Sequence, residues 1–437
     1  MHVYPTICPQ HSNVAIHYYP PDSLKIGPVM TTAPDTFGQA QPIFPPSGNE
    51  CPVFEWVENS GRYTDGIPSL ITEVCNRFAA NGLPLERVSI ILRTLHPQIA
   101  VSGYVWRAGV AELSQFTGDH QSQSRESYRD SPVRTIFEGS PGLRRRLSDP
   151  DCPRDFPILA DLDSEGVTDY LLLPVPFSDG RSYACSWSTK APGGFTDPQV
   201  ARIQSIMPTF SLVLEILATR DISRTLMDTY LGHKTGELVL NGAIYRGVNE
   251  TIEAALWISD LRGFTAMSDE LAPPVLLGIL NDHFERIVGA IEAHDGEVLK
   301  FVGDSVLAIF PIDQYGGATG AAEAAVGAAR EAVRRLEERN DERRGKNLRS
   351  LGYGIALHMG EVVYGNVGAP HRLDFTVIGP AVNHTARIEQ LCRTLEQPVL
   401  VSAAVAEAAT EAVSSLGFHA LRGVREPHEI FTLPEYA

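Results

Sequence analysis

Two aspartates in the C-terminal half of the chain are the first candidates for chemistry. Asp260 closes AALWISD, an apolar run that reads as a buried strand, and Asp304 lies in the turn of GEVLKFVGDSVLAIF, which reads as a hairpin. We expect these strands to lie side by side, so that both carboxylates meet at one edge of a sheet. Such a pair suits Mg²⁺ or Mn²⁺, which prefer oxygen ligands and keep positions open for substrate phosphates. Either aspartate alone is more often a turn or strand-end cap, and the pairing favours a metal site.

The segment that follows Asp260, LRGFT, is a candidate phosphate loop. The backbone N–H groups of Gly263, Phe264 and Thr265 could cradle a triphosphate where the next helix starts. A glycine loop by itself is a weak indication. Its position directly after a candidate metal ligand gives it weight.

Four further polar residues could recognise a nucleotide. Asn383 and Arg387 lie four residues apart in VNHTARIEQLC, which reads as a helix, so both project from one face and could orient a ribose and neutralise a phosphoryl oxygen. Lys300 can donate to the N1 acceptor of adenine, and the Thr376 hydroxyl can accept from the exocyclic amine. Guanine presents the opposite pattern, which a Glu in place of Lys would fit. Taken singly, each residue is more often an ordinary surface or strand residue.

The elements around these residues alternate between strand and helix over residues 251–437. Apolar residues recur at helical spacing in PPVLLGILNDHFERIVGAIEAHDG, and Pro273 and Pro274 suit the first turn of that helix. AAEAAVGAAREAVRRLEERN predicts a second helix, and GYGIALHMGEVVYGNVG a further hairpin-like pair. The order βαββαβ predicts an α+β fold with a ferredoxin-like antiparallel sheet and helices on one face.

The preceding half, residues 51–218, reads as one α/β domain. It contains a helix over 69–82, strands at 88–95 and 101–106, a hairpin turning at Asp179-Gly180 and a long helix that begins at Asp197. This order resembles a GAF-like sensor domain, and the resemblance is one of pattern. Three strand aromatics could line a pocket for a small molecule, although such residues more often form core: Trp106, Tyr170 and Trp187.

Two segments flank this domain. Residues 1–50 contain nine prolines and predict a mostly disordered leader. Residues 219–247 predict a helical linker that four glycines break into short pieces: Gly232, Gly236, Gly242 and Gly247. A passive linker and an element that transmits a signal between the two halves are both open interpretations.

Bulk composition excludes several classes of function. The net charge of -17 disfavours nonspecific binding to nucleic acid or anionic membranes. The six cysteines are scattered without a CxxC pair, which favours reduced thiols over a zinc site or a disulfide framework. No run of 18 apolar residues and no basic, apolar N-terminus occur, so we expect a cytoplasmic protein without a membrane span or signal peptide.

Four motifs in order resemble the catalytic domain of the class III adenylate and guanylate cyclases: ISDLRGFT, LKFVGDSVLAIF, GIALHMGEVVYGNVG and FTVIGPAVNHTARIE. The resemblance covers essentially all of residues 251–437. It implies that Asp260 and Asp304 bind two divalent cations, Mg²⁺ or Mn²⁺, and that the backbone carbonyl of Leu261 joins them. The implied reaction is in-line attack of the ribose 3′-oxygen of ATP on the α-phosphorus, with loss of pyrophosphate.

The same resemblance assigns the remaining site. It implies adenine selection by Lys300 and Thr376, ribose positioning by Asn383 and transition-state stabilisation by Arg387. It also implies a head-to-tail homodimer, in which one chain supplies the aspartates and the other these four residues.

Two departures from the family pattern have consequences. Many members carry Asp where this chain has Thr376, and Thr there resembles a bacterial-type subgroup that includes bicarbonate-responsive enzymes. The family also uses a basic residue near the C-terminus for the triphosphate, for which Arg422 and Arg425 are both candidates. A guanylate cyclase, and an inactive cyclase-fold binding protein, remain the alternatives to an adenylate cyclase.

Overall fold

The computed structural model describes residues 52–121, 126–242, 244 and 249–437. The predicted leader, residues 1–50, lies outside these ranges. The first part of the described chain forms an antiparallel sheet of six strands in the order β3-β2-β1-β6-β5-β4. Its strands are β1 (Arg87–Arg93), β2 (Val101–Arg107), β3 (Ser114–Gly118), β4 (Leu143–Arg145), β5 (Asp169–Pro176) and β6 (Ser182–Thr189).

Helices cover both faces of this sheet. They are α1 (Pro52–Asn59), α2 (Gly66–Ala80), α3 (Glu126–Arg129), α4 (Val133–Phe137), α5 (Pro157–Ser164) and α6 (Asp197–Leu231). The helices α1, α2 and α6 share one core with Trp187, whereas α4 and α5 share another with Tyr170, which lies on the opposite face. The predicted hairpin at Asp179-Gly180 is confirmed, because β5 and β6 pair along their whole length.

The helix α6 begins at a capping box and buries one side. The Thr196 side chain accepts a hydrogen bond from the backbone of Gln199, whose side chain accepts in return. Ile203, Phe210 and Leu214 are buried in the sheet domain. By length and composition alone α6 could also span a membrane, although it contains no run of 18 apolar residues. A buried face of this kind is typical of a core helix in a globular domain.

The predicted linker is helical over most of its described residues. The helix α6 continues to Leu231, and α7 (His233–Leu240) follows after the single residue Gly232. Gly232 has φ +83° and ψ 158°, a conformation that is open to glycine almost alone. The chain therefore turns sharply where the long helix ends.

The C-terminal sheet has the order β13-β14-β12-β10-β7-β9-β8, with β11 paired to β10. Its strands are β7 (Asn249–Arg262), β8 (Glu297–Val302), β9 (Ser305–Pro311), β10 (Gly352–Ala369), β11 (Arg372–Ile378), β12 (Val399–Ser402), β13 (Ser414–His419) and β14 (His428–Thr432). The strands β7, β8, β9 and β10 are arranged as a ferredoxin-like βαββαβ unit, which confirms the predicted α+β fold.

Both helices of the βαββαβ unit lie on one face of the sheet, as predicted, and a later helix covers the other face. This domain has five α-helices among its described residues. They are α8 (Phe264–Glu270), α9 (Pro273–Glu292), α10 (Ala318–Gly345), α11 (Pro380–Thr394) and α12 (Ala403–Ala408). The helices α9 and α10 pack on the face of Trp257 and Ile355. The helix α11 packs on the opposite face, where Ala356 contacts Ile388. Alternate residues of one strand point to opposite faces, so β10 is covered from both sides.

The segment predicted as a hairpin-like pair over residues 352–368 is a single strand, β10. No turn interrupts it at Gly360, because this residue pairs with Ala254 in an unbroken ladder with β7. A Cβ on Gly360 would lie 2.9 Å from the Cβ of Ala381, so glycine here permits close approach of α11. The turn falls later, between Ala369 and Arg372, where β11 begins.

Candidate active site

The structure brings Asp260 and Asp304 together. Asp260 lies near the end of β7, and Asp304 lies in the turn between β8 and β9. Because β9 pairs with β7, that turn reaches the end of β7. Ser305 Oγ donates a hydrogen bond of 2.7 Å to Asp260 Oδ1. Asp304 lies close enough to Asp260 and to the backbone of Leu261 for both to affect its proton affinity.

The proximity of the two acids changes their chemistry. Burial first, and then the charge and hydrogen bond of Asp260, raise the pKa of Asp304 to about 6, although the backbone N–H groups of Asp304 and Leu261 oppose this. Two neighbouring carboxylates disfavour each other's charge, and a divalent cation bound between them would relieve that repulsion. The all-oxygen pair therefore fits Mg²⁺ or Mn²⁺. Within the described ranges, no group of three or more His, Cys, Asp and Glu is arranged to hold a metal.

A third carboxyl group, which the sequence analysis missed, faces this pair from α11. Burial, followed by the charge of Asp260, raises the pKa of Glu389 to about 7, and Arg262 lowers it in part. Glu389 Oε1 lies 3.0 Å from the position of a Cβ on Gly354, the residue opposite Asp260 in the β7–β10 ladder. Only the packing of α11 on β10 reveals this neighbour, because the sequence separation is large.

The proposed base-recognition residues lie on β8 and β11. Lys300 Nζ donates a hydrogen bond of 2.7 Å to Asp374 Oδ2. Thr376 is 5% exposed, and its hydroxyl has no hydrogen-bond partner within the described part of the chain. A buried hydroxyl without a partner is uncommon and indicates a place for a ligand. Asp374 was missed, although the strand period of two puts it on the same side of β11 as Thr376.

Asn383 and Arg387 share one face of α11, as predicted. Asn383 is exposed and Arg387 is half-buried. Arg387 Nη2 lies 3.7 Å from the position of a Cβ on Gly423, so the guanidinium adjoins the loop that carries the exposed residues Arg422 and Arg425. Neither the Asn383 side chain nor the Arg387 side chain forms a hydrogen bond to another residue in the ranges that the structure describes. Both are thus available to a ligand or to a partner chain.

The predicted phosphate loop follows Asp260 directly. Gly263 has φ +76°, in the left-handed region that favours glycine, and it caps α8. The Phe264 side chain is partly buried against Met267, whereas Thr265 is exposed. The loop occupies the predicted position beside the acids, and phosphate binding by its N–H groups stays a prediction, as does a metal bond from the Leu261 carbonyl.

The three aromatics considered for a sensor pocket belong to the protein core. Trp106, Tyr170 and Trp187 are all buried, and Trp106 Nε1 donates to Asn76 Oδ1 at 3.2 Å. A cleft of about 160 Å³ lies elsewhere in this domain. Its lining includes Leu92, His96, Tyr104, Asp221 and Thr225.

The comparison with known families agrees with the geometry of the C-terminal site. Residues 248–433 match the sequence model described as the adenylate and guanylate cyclase catalytic domain. The C-terminal domain of this chain therefore belongs to the class III adenylate and guanylate cyclase family. Members of this family use divalent metal ions and act on a nucleotide substrate.

Particular relatives are similar to part of this chain. An adenylate cyclase from Anabaena cylindrica is 34% identical over 163 residues, which are 36% of this chain and 31% of that protein. Adenylate cyclase 1 of Rhizobium meliloti is 32% identical over 155 residues, 35% of this chain and 23% of that protein. The crystal structure of the adenylyl cyclase CyaB from P. aeruginosa is 26% identical with a TM-score of 0.39, over 42% of this chain and 94% of that chain. The match thus spans less than a third of the length of the two curated relatives.

Proposed function

We propose that the protein is an adenylate cyclase that converts ATP to 3′,5′-cyclic AMP and pyrophosphate. Two observations carry the choice of base: Lys300 is bonded to Asp374 on β11, and the hydroxyl of Thr376 on the same strand has no partner among the described residues. An ammonium donor matches N1 of adenine, and a hydroxyl can accept from its exocyclic amine. Guanine would present an N1–H donor to the lysine, which cannot accept it. The hydrogen bond to Asp374 on β11 holds the Lys300 ammonium group beside that strand.

The chain's own groups have separate tasks in this mechanism. A divalent cation, when bound to Asp260 and Asp304, supplies a Lewis acid for the 3′-hydroxyl and the phosphates. Ser305 fixes the orientation of Asp260 through its hydrogen bond. Asn383 orients the ribose so that the 3′-oxygen stands in line with the α-phosphorus, and Arg387 neutralises the charge that builds on the α-phosphate oxygens.

The proposal includes a head-to-tail homodimer with shared sites. One chain carries both the acids and the nucleotide-recognition residues. The side chains of Asn383 and Arg387 have no hydrogen-bond partner within the described residues of their own chain. A two-fold dimer would place these two residues at the acids of the partner and form two equal sites. We also propose regulation by the N-terminal sheet domain, whose order of elements resembles a GAF-like sensor, and a cytoplasmic location, which cell fractionation would test.

Cyclisation assays with the purified full-length protein test the proposed reaction. With Mn²⁺ or Mg²⁺ we expect ATP to give cyclic AMP, and we expect Asp304→Asn to lower kcat at least about 100-fold, because it removes a charge at the metal and phosphate site. Asp313→Asn, an exposed aspartate of the same domain, is the matched control. Faster turnover of GTP would establish the guanylate cyclase alternative. A folded dimer that forms neither cyclic nucleotide would favour the inactive binding protein.

A further inference from the structure

Glu297 is a buried carboxylate outside the catalytic set. It is the first residue of β8 and is 5% exposed. Its Oε1 accepts hydrogen bonds from Thr235 Oγ1 at 2.8 Å and from the Tyr364 hydroxyl at 2.9 Å. Within the described chain no cationic side chain forms an ion pair with it. Burying a carboxylate is costly unless donors satisfy it, so these two hydroxyl groups fix its position.

The first donor comes from the linker. Thr235 is 2% exposed and lies on α7, three residues after the sharp turn at Gly232 that ends α6. The neighbouring Lys234 Nζ donates to the backbone oxygen of Asp295 at 3.0 Å and to Gln314 Oε1 at 2.7 Å. The helix α7 is therefore docked on the edge of the cyclase domain where β8 begins.

The second donor comes from the long strand β10. The ring of Tyr364 packs edge-on against Phe375, with centroids 4.7 Å apart, and Phe375 directly precedes Thr376. On the other side, Glu297 lies three residues before Lys300 on β8. One carboxylate oxygen thus joins α7 to β8, which carries Lys300, and to β10, whose Tyr364 packs on β11 beside Thr376.

We propose that Glu297 is a positioning residue for base recognition and that its bond to Thr235 couples the linker to Lys300 and Thr376. This inference rests on the proposed function, which assigns those two residues to the base. The coupling is physical. A hydrogen bond of 2.8 Å is lost beyond about 3.5 Å, so a shift of about 1 Å in α7 removes one of the two donors of the buried carboxylate. A signal that turns α6 at Gly232 would move Thr235 in this way.

Four substitutions in the full-length protein test the coupling by kinetics with ATP and GTP. We expect Thr235→Val and Tyr364→Phe each to lower kcat/KM for ATP about threefold to tenfold, the effect of one buried hydrogen bond. Each should also narrow the preference for ATP over GTP, because the base-reading strands lose a shared anchor. Glu297→Gln keeps an acceptor oxygen and should retain most of the activity and the preference. Glu297→Met removes the acceptor oxygen and should lose both the activity and the preference for ATP over GTP.

Matched controls separate positioning from general loss of packing. Tyr353→Phe removes a buried hydroxyl that donates to Glu337 Oε1 at 2.8 Å, and Thr432→Val removes one that donates to the Val399 oxygen at 2.8 Å. Both lie in the same sheet as Tyr364. We expect neither to change the ratio of kcat/KM for ATP to that for GTP. In the double variant Thr235→Val/Tyr364→Phe, kcat/KM for ATP should fall by less than the product of the two single-variant factors, because both hydroxyl groups donate to one oxygen.

Hydrogen exchange distinguishes failure of this inference from failure of the proposed function. Amides over residues 298–305 and 364–377 should exchange faster in Thr235→Val than in the wild type and the two controls, whether or not the protein cyclises ATP. Unchanged exchange in both segments, together with an unchanged nucleotide preference, would overturn the coupling. Faster exchange in a protein that makes no cyclic nucleotide would retain the coupling and reject the proposed function.

Discussion

Thr376 has a hydroxyl that forms no hydrogen bond with the described part of the chain, although the side chain is almost fully buried. Leaving a buried polar group unpaired costs about 1–3 kcal/mol. Because this cost is present before any ligand binds, we interpret the Thr376 hydroxyl as a group that is available to bind a ligand. The adjacent pair of Lys300 and Asp374 supplies the complementary donor.

The substitution Thr376→Val should therefore move stability and activity in opposite directions. We expect the free energy of unfolding to rise by about 1 kcal/mol, because the unpaired hydroxyl is replaced by a methyl group. We expect kcat/KM for ATP to fall about threefold to tenfold, because an acceptor for the adenine amine is lost. Urea unfolding and steady-state kinetics measure the two effects. A loss of stability with unchanged kinetics would show a purely structural threonine.

Three histidines form a second residue-scale feature, on the α11 side of the sheet. The rings of His358 and His384 lie 5.5 Å apart, and those of His384 and His428 lie 5.6 Å apart. His358 Nδ1 also lies 2.9 Å from Ser402 Oγ on β12. Burial first, and then His384 and His428, lower the pKa of His358 to about 4. Burial, His428 and Arg387 likewise lower the pKa of His384.

Because the pKa of His358 in the folded state lies below its ordinary value near 6.5, the unfolded state binds the proton more tightly. The contribution of neutral His358 to the free energy of unfolding is fully present above about pH 6.5 and is lost as the pH falls towards 4. Across this pH interval we expect the free energy of unfolding to fall by roughly 2 to 3 kcal/mol more in the wild type than in His358→Asn. Urea unfolding at a series of pH values measures the difference, with His371→Asn, an exposed histidine, as control. Parallel plots of unfolding free energy against pH for the wild type and His358→Asn would contradict the lowered pKa of His358.

At the scale of elements, the joint between α6 and α7 depends on one glycine. Gly232 adopts φ +83°, and a Cβ there would also lie 3.3 Å from the backbone oxygen of Val298 on β8. Backbone strain and contact with β8 act together at this position. The conformation of the joint and the docking of α7 are therefore linked to the strand that carries Lys300.

We expect Gly232→Ala to lower the free energy of unfolding by about 1–3 kcal/mol and to reduce cyclase activity as α7 is displaced. Gly278→Ala is the matched control, since Gly278 lies within α9 and a Cβ there would meet nothing within 4 Å. That control should stabilise the protein by about 0.5–1 kcal/mol, the ordinary gain of alanine in a helix. Thermal unfolding and cyclase assays measure both variants. Equal effects of the two substitutions would remove any special role for the joint.

At the scale of the whole molecule, the proposed homodimer shares its two sites between chains, which would make activity a property of the dimer. A chain with Asp304→Asn lacks an acid but keeps Arg387, and a chain with Arg387→Ala has the reverse defect. Each homodimer has two defective sites. In a mixed dimer one site holds both lesions and the other holds none.

Mixing the two inactive variants in equal amounts under subunit exchange should therefore restore about a quarter of wild-type activity, since half of the dimers are mixed and half of their sites are intact. The double variant Asp304→Asn/Arg387→Ala, mixed with either single variant, should restore none and serves as control. Analytical ultracentrifugation of each sample confirms that dimers are present. Failure to restore activity in proven mixed dimers would show that each site is built within one chain.

The sequence alone was sufficient where chemistry and local structure coincide. Asp260 and Asp304 were found because one closes an apolar run and the other occupies a tight turn, and these short-range patterns determine where a carboxylate lies on a sheet. Asn383 and Arg387 share a helix face through their spacing of four residues. The order of strands and helices was enough for the ferredoxin-like unit, because short connections restrict the possible topologies.

Contacts between residues far apart in the chain required the tertiary structure. Glu389 adjoins the acids only because α11 packs on β10, and Glu297 receives its donors only because α7 docks beside β8. Residues 352–368 were predicted as a hairpin-like pair, yet pairing with β7, for example of Gly360 with Ala254, keeps them in one extended strand. Burial and neighbouring charge also determine proton affinity, so the raised pKa of Asp304 could be known only from the fold. Residue types and spacing determined which groups could act, and long-range packing decided which of them meet.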